Sequence, residues 1–213
     1  MTELILVRHS QPYGGVDDPG LTPWGLQLAD RAAAWLAHDS VDVLLASPMR
    51  RAQETAAPIA AALGLDVNTL DGLLEWEAIP KRPIYVPLDE FPADHPALLA
   101  MVEGRYPDFV PPFDHQKFRN TARATLNEIF ERWPVERIVA VCHGGVINAL
   151  LTAVIEESLG STDGFFFVYP AYTSMSVVER MASGRTVLRT INDVGHVMGE
   201  RIPGSVRPPV LEG

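Results

Sequence analysis

Two histidines stand where apolar runs end. Leu4-Ile5-Leu6-Val7 leads into Arg8-His9, and Ile138-Val139-Ala140-Val141 leads through Cys142 into His143-Gly144-Gly145. A neutral imidazole can bond covalently to phosphorus and split a transfer into two easier steps. A guanidinium beside it disfavours the imidazolium and grips phosphoryl oxygens through two nitrogens at once. A strand-end histidine alone is equally an ordinary core residue; the arginine and the second histidine are what point to phosphate. In an open α/β sheet, ligands bind beyond the carboxyl ends of parallel strands. If the two runs are neighbouring parallel strands, both histidines and Arg8 meet in one crevice.

Further residues fit the same chemistry. Ser47-Pro48-Met49-Arg50-Arg51-Ala52-Gln53-Glu54-Thr55 follows a short apolar run and opens a helix, where backbone N–H groups and the dipole favour an anion. Adjacent arginines on a helix point about 100° apart, so one of Arg50 and Arg51 faces the crevice. Gly144 and Gly145 let the backbone come close to a ligand. His143, when charged, can stabilise the negative charge that develops on a transferred phosphoryl group. In Leu73-Leu74-Glu75-Trp76-Glu77, apolar neighbours could raise a carboxyl pKa so that Glu75 or Glu77 protonates a leaving oxygen. His38, His95, His115 and His196 lack such context and read as surface residues. Cys142 reads as a small buried hydrophobe. No short-spaced cluster of three or four metal ligands occurs, so no zinc or other metal is expected, nor any other cofactor.

The elements that must position these residues alternate between strand and helix. After the first strand, Thr22 and Pro23 form an N-cap and first helical position, followed by helical spacing through Leu26, Ala29, Ala33 and Leu36. Residues 41–46 read as a buried strand, and 51–63 as a helix stopped by Gly64. The stretch 80–112 holds eight prolines, which excludes a long helix or a central strand. Its aromatics Tyr85, Phe91, Tyr106 and Phe109 argue against a disordered linker, so 80–113 is expected to be a cap or lid, with a short helix near 96–103. Residues 118–133 and 146–157 predict helices, and 173–179 and 186–191 predict strands joined by a turn at Ser183-Gly184. The alternation predicts an α/β fold, a three-layer α/β/α sandwich whose mainly parallel sheet ends antiparallel. The 213 residues are read as one domain, with a loose tail from 203.

Composition narrows the partners. Against 27 acidic residues stand 17 basic ones, and the net charge of -10 argues against nucleic-acid or acidic-membrane binding. Any anionic substrate must then be drawn by a local arginine cluster. The single cysteine rules out an internal disulfide and predicts a reducing compartment. With no basic leader at the first residues and no apolar stretch of roughly 18 residues, a cytoplasmic protein is expected. Phe165-Phe166-Phe167 could be a core strand or an interface edge, leaving a homo-oligomer possible.

In order along the chain, four motifs resemble the histidine phosphatase superfamily, the phosphoglycerate-mutase-like proteins: Leu6-Val7-Arg8-His9; Leu21-Thr22 with Gly25 and Gln27; Ser47 with Arg51-Ala52 and Thr55; and Cys142-His143-Gly144-Gly145. The resemblance implies His9 as phosphorylated nucleophile, with Arg8, Arg51 and His143 around the phosphate. It selects Arg51 over Arg50 and favours Glu75 as general acid. The sequence departs from the family in carrying Ser10 where a glycine is usual; a serine there could donate its hydroxyl to the phosphate pocket or only replace a small residue. The pattern after the acid also differs. The implied activity is metal-independent hydrolysis of a small-molecule phosphate ester. The alternatives are a phosphoglycerate-type mutase, for which Lys81, Arg82 and Arg105 offer few cations in the cap, and a non-catalytic phospholigand-binding protein.

Overall fold

The computed structural model describes residues 1–75, 92, 94–96, 99, 114–160 and 168–197. Six strands form one sheet: β1 (Thr2–Arg8), β2 (Val43–Ala46), β3 (Val67–Thr69), β4 (Arg137–Cys142), β5 (Met175–Arg180) and β6 (Thr186–Asp193). Their order is β3-β2-β4-β1-β5-β6. β1, β2, β3 and β4 run parallel; β5 runs antiparallel to β1, and β6 runs antiparallel to β5 and so points the same way as β1. The sheet therefore ends in an antiparallel β5-β6 pair. β3 is a short edge strand without a sequence signal, since Val67-Asn68-Thr69 is too short for a period to show.

Helices α1 (Pro23–Leu36) and α2 (Arg50–Leu63) cover one face, and α3 (His115–Arg132) and α4 (Gly144–Leu159) cover the other. Strand alternation builds both layers. In β1, Ile5 and Val7 pack under α1 and α2, while Leu4 and Leu6 pack under α3 and α4. β4 divides likewise, with Val139 and Val141 on the first side and Ile138, Ala140 and Cys142 on the second. Strands buried on both faces are near-continuous apolar runs, which is why β1 and β4 were legible.

The helix ends follow local chemistry. Thr22 caps α1 by accepting the Gly25 N–H at 2.9 Å, with Pro23 in the first turn. Gly64 closes α2 in the left-handed region at φ 68°. Asp114 caps α3 through the Lys117 N–H at 2.8 Å. α4 begins two residues earlier than its apolar spacing predicts, so Gly144 and Gly145 lie inside its first turn.

The cap at 80–113, its four aromatics, its cations Lys81, Arg82 and Arg105, the helix near 96–103, Glu77, Phe165–Phe167 and the tail from 203 lie wholly or almost wholly outside the described residues. No helix among the described residues is long and apolar enough to cross a membrane.

Candidate active site

Parallel pairing of β1 with β4 puts Arg8 opposite Cys142, so the residues that follow each strand emerge side by side. The His9 N–H continues the ladder onto the Cys142 carbonyl at 2.8 Å, and the two imidazole centroids lie 5.1 Å apart. β2 flanks β4 on its other side, and the Ser47 N–H bonds to the Val141 carbonyl at 2.9 Å. Three strand ends thus open into one crevice, as the sequence predicts.

His9 is buried, and its Nδ1 lies 2.7 Å from the Ser10 carbonyl. A carbonyl only accepts, so Nδ1 carries the proton and Nε2 presents a lone pair. Arg51 Nε donates toward that lone pair at 3.3 Å. Burial pushes the His9 pKa well below its ordinary value; the charge of Arg51, competition with the neighbouring His143 for a proton and the charge of Arg8 push further, against a smaller pull from the Ser10 carbonyl. The result is an uncharged imidazole with a defined tautomer.

Arg51 occupies the first turn of α2 and is 1% exposed, although it carries a charge. Arg50, rotated by one residue, points outward and pairs with Glu54 at 2.6 Å. The helical geometry thus selects the same arginine as the motif. One turn on, Thr55 Oγ1 donates to the Arg51 carbonyl at 2.7 Å and accepts the Ser10 N–H at 2.9 Å, joining the nucleophile's loop to α2.

Burial, then Arg51 and Arg8, hold the His143 pKa well below its ordinary value, so its ring rests uncharged in this site. Its Nε2 meets Ser47 Oγ at 2.8 Å, while its buried Nδ1 has no hydrogen-bond partner among the described residues. Ser47 is motif-bearing in sequence, yet its service to His143 was not legible. Gly144 follows in the first turn of α4, and a Cβ added to it would approach only Arg8 Nε, at 4.0 Å. Among the described residues, packing does not require this glycine.

Glu75 is 7% exposed, and its Oε2 accepts the Gly145 N–H at 2.9 Å. This seat at the N-terminus of α4 is more polar than its leucine and tryptophan neighbours predict, and it sets the carboxyl next to the His143 loop. Ser10 departs from expectation more sharply. Its hydroxyl donates to the Gly25 carbonyl at 2.6 Å, its N–H is taken by Thr55, and the residue has no exposed surface. Its only hydroxyl hydrogen is spent on α1, so Ser10 braces the nucleophile's loop and donates nothing to a phosphate.

Arg8 has a seat that the sequence did not announce. Its Nη1 donates to the Pro170 carbonyl at 2.6 Å, and its guanidinium carbon lies 4.2 Å from the centre of the Tyr172 ring. Tyr172 is fully buried and also faces His9, with ring centroids 5.8 Å apart. Cys142 is buried as expected, and burial and the Glu75 charge push its thiol pKa far up. Among the described residues no three or more His, Cys, Asp or Glu side chains cluster to hold a metal ion. His196 is half-buried, not a surface residue as its sequence context predicts.

Two imidazoles and two buried guanidiniums gather at three strand ends, an arrangement whose chemistry can hold a tetrahedral dianion. A family model of the histidine phosphatase superfamily, branch 1, matches residues 4–194. The chain belongs to that superfamily. It is 25% identical over 209 residues to phosphoserine phosphatase 1 of Hydrogenobacter thermophilus, covering 92% of this chain and 95% of that one. The fold matches a phosphoserine phosphatase mutant from Entamoeba histolytica in complex with phosphoserine, with a TM-score of 0.70, 22% identity and coverage of 93% and 100%. It also matches a mycobacterial glucosyl-3-phosphoglycerate phosphatase in complex with VO3, with a TM-score of 0.67, 22% identity and coverage of 89% and 98%. As a superfamily member the chain is a phosphoric monoester hydrolase.

Proposed function

We propose that this chain hydrolyses a small phosphorylated metabolite, without a metal, through a phosphohistidine at His9 Nε2. The observation that carries the proposal is the bond from His9 Nδ1 to the Ser10 carbonyl, which fixes the tautomer with Nε2 unprotonated. In the first step Nε2 bonds to phosphorus as the ester P–O bond breaks, and Glu75 gives its proton to the departing alkoxide. In the second, Glu75 takes a proton from water, whose oxygen attacks phosphorus and releases the histidine. Arg8, Arg51, His143 and the Gly144 N–H bind the non-bridging oxygens, where positioning and charge stabilisation supply most of the rate. A dianion in the site offsets the arginine charges that hold His143 neutral, so His143 gains donor strength when substrate arrives.

Phosphoserine is the first substrate to assay, because a phosphoserine phosphatase is similar to this chain over nearly all its length. The decisive experiment is rapid-quench labelling with a radiolabelled phosphate ester in the presence of EDTA. An acid-labile phosphoenzyme in the wild type, absent in His9→Ala, is the expected result. No phosphoenzyme under trapping conditions, or full activity in His9→Ala, overturns the mechanism. Phosphoglycerate interconversion faster than phosphate release identifies a mutase instead, and phosphate-competed binding without turnover identifies a binding protein.

A further inference from the structure

Residues 168–174 form a saddle under Arg8 that the phosphatase mechanism leaves unused. The Arg8 N–H bonds to the Ser174 carbonyl at 3.1 Å, and the Thr173 N–H bonds to the Arg8 carbonyl at 3.0 Å. The guanidinium meets the same segment at the Pro170 carbonyl and the Tyr172 ring. Main chain and side chain of one residue are therefore seated on one short loop.

That loop is bent by an unusual turn. Thr173 has φ 58°, in the left-handed region that a β-branched residue rarely adopts. Such a conformation persists where its surroundings over-determine it, and these sites cluster where strain serves function. Thr173 Oγ1 donates its hydrogen to the Tyr172 carbonyl at 2.7 Å and meets His196 Nε2 at 2.9 Å. With that hydrogen spent, Oγ1 accepts from His196, which therefore carries its proton on Nε2. Outside the turn, His196 rests near Trp35, with ring centroids 6.4 Å apart. The preceding loop residues are tied down by Asn192, whose Oδ1 accepts the Ala171 N–H at 2.7 Å and whose Nδ2 donates to the Tyr169 carbonyl at 3.1 Å.

We propose that Tyr172 is a positioning residue that fixes the Arg8 guanidinium for phosphate, through a left-handed turn at Thr173 locked from outside the site by His196. The proposal rests on the reading of Arg8 as a phosphate ligand. A guanidinium over a ring face is attracted to the ring's quadrupole, most strongly where water is excluded. Tyr172 thereby stores the orientation of Arg8 before substrate arrives.

The test measures KM for a phosphate monoester, and inhibition by orthovanadate, in Tyr172→Leu, Tyr172→Phe, Arg8→Ala and the Arg8→Ala/Tyr172→Leu pair. Tyr172→Leu should raise KM about ten-fold, and Tyr172→Phe, which keeps the ring, should recover most of that loss. In the Arg8→Ala background Tyr172→Leu should add nothing. A Tyr172→Leu loss of equal size in that background overturns the proposal, because the ring then acts on something else. An Arg8→Ala variant that binds vanadate like the wild type overturns instead the reading of Arg8 as a phosphate ligand. If Tyr172→Leu does not fold, the lock carries the test. His196→Ala should raise KM several-fold, and adding Thr173→Gly should restore it, since glycine takes the left-handed turn without strain. No restoration overturns the lock.

Discussion

Acid should unfold this protein through its two site histidines before it unfolds it through its carboxylates. His9 and His143 are 2% and 0% exposed and are held neutral by burial and by Arg51 and Arg8. In the unfolded chain each binds a proton at the ordinary imidazole value of about 6.5. The unfolded state therefore takes up two protons that the folded state refuses, and stability falls as pH drops below that value. A ring that stays neutral throughout costs up to about 2 kcal/mol between pH 7 and pH 5, set by the unfolded-state titration alone, and two such rings up to about 4 kcal/mol. Against a typical total of about 5–15 kcal/mol that is a large fraction. Urea unfolding followed by tryptophan fluorescence at the two pH values measures it. The double variant His9→Gln/His143→Gln cannot take up these protons and serves as reference, since every other titrating group is common to both proteins. The wild type should lose more stability than the variant over this range, up to about 4 kcal/mol. Parallel losses in the two proteins would refute the assignment of both histidines as neutral.

The same depressed pKa sets the kinetics: because His9 attacks unprotonated, the acid limb of kcat/KM should lie below pH ~6.5, and a limb above it contradicts the electrostatic reading. Glu75→Gln should lower kcat roughly 10²- to 10⁴-fold for alkyl phosphates. It should act far less on aryl phosphates, whose leaving group needs no proton, and equal losses on both would remove Glu75 as the acid. Gly25→Ala should cost about 1–3 kcal/mol by overpacking, because a Cβ there would sit 2.1 Å from the Gln11 carbonyl oxygen; thermal unfolding checks it. Cys142, buried and with its thiol pKa raised, should react with a disulfide reagent only after denaturation.

What the sequence made legible is what local chemistry dictates. Apolar runs buried on two faces marked β1 and β4, and histidines at their ends could only meet if the strands were parallel neighbours. Helical rotation predicted that only one of Arg50 and Arg51 faces the crevice; the family motif chose Arg51, and Arg51 is the buried one. The illegible part depends on distant pairing. Nothing in Thr173 signals a left-handed turn, because threonine is among the residues least suited to one. Tyr172 becomes a seat for Arg8 only once β5 lies antiparallel to β1. Ser10 misled because its type allows a donor to the site, while Gly25 on α1 claims the hydrogen first. That His143 rests uncharged was likewise illegible, since burial and two arginines act on it only in the folded state.

The position of β1 has a consequence for how the enzyme comes into being. It is made before both of its neighbours, yet it lies inside the sheet, between β4 and β5. Its partners span residues 137–142 and 175–180. At roughly 5–20 residues per second of synthesis, the nucleophile waits on the order of ten seconds for a strand to pair with. Throughout that wait the nascent chain carries His9 without His143, Glu75 sits without its helix N-terminus, and Arg8 lacks its seat. A chain truncated anywhere before β4 cannot assemble the site, so phosphatase activity reports that β4 has been made and paired.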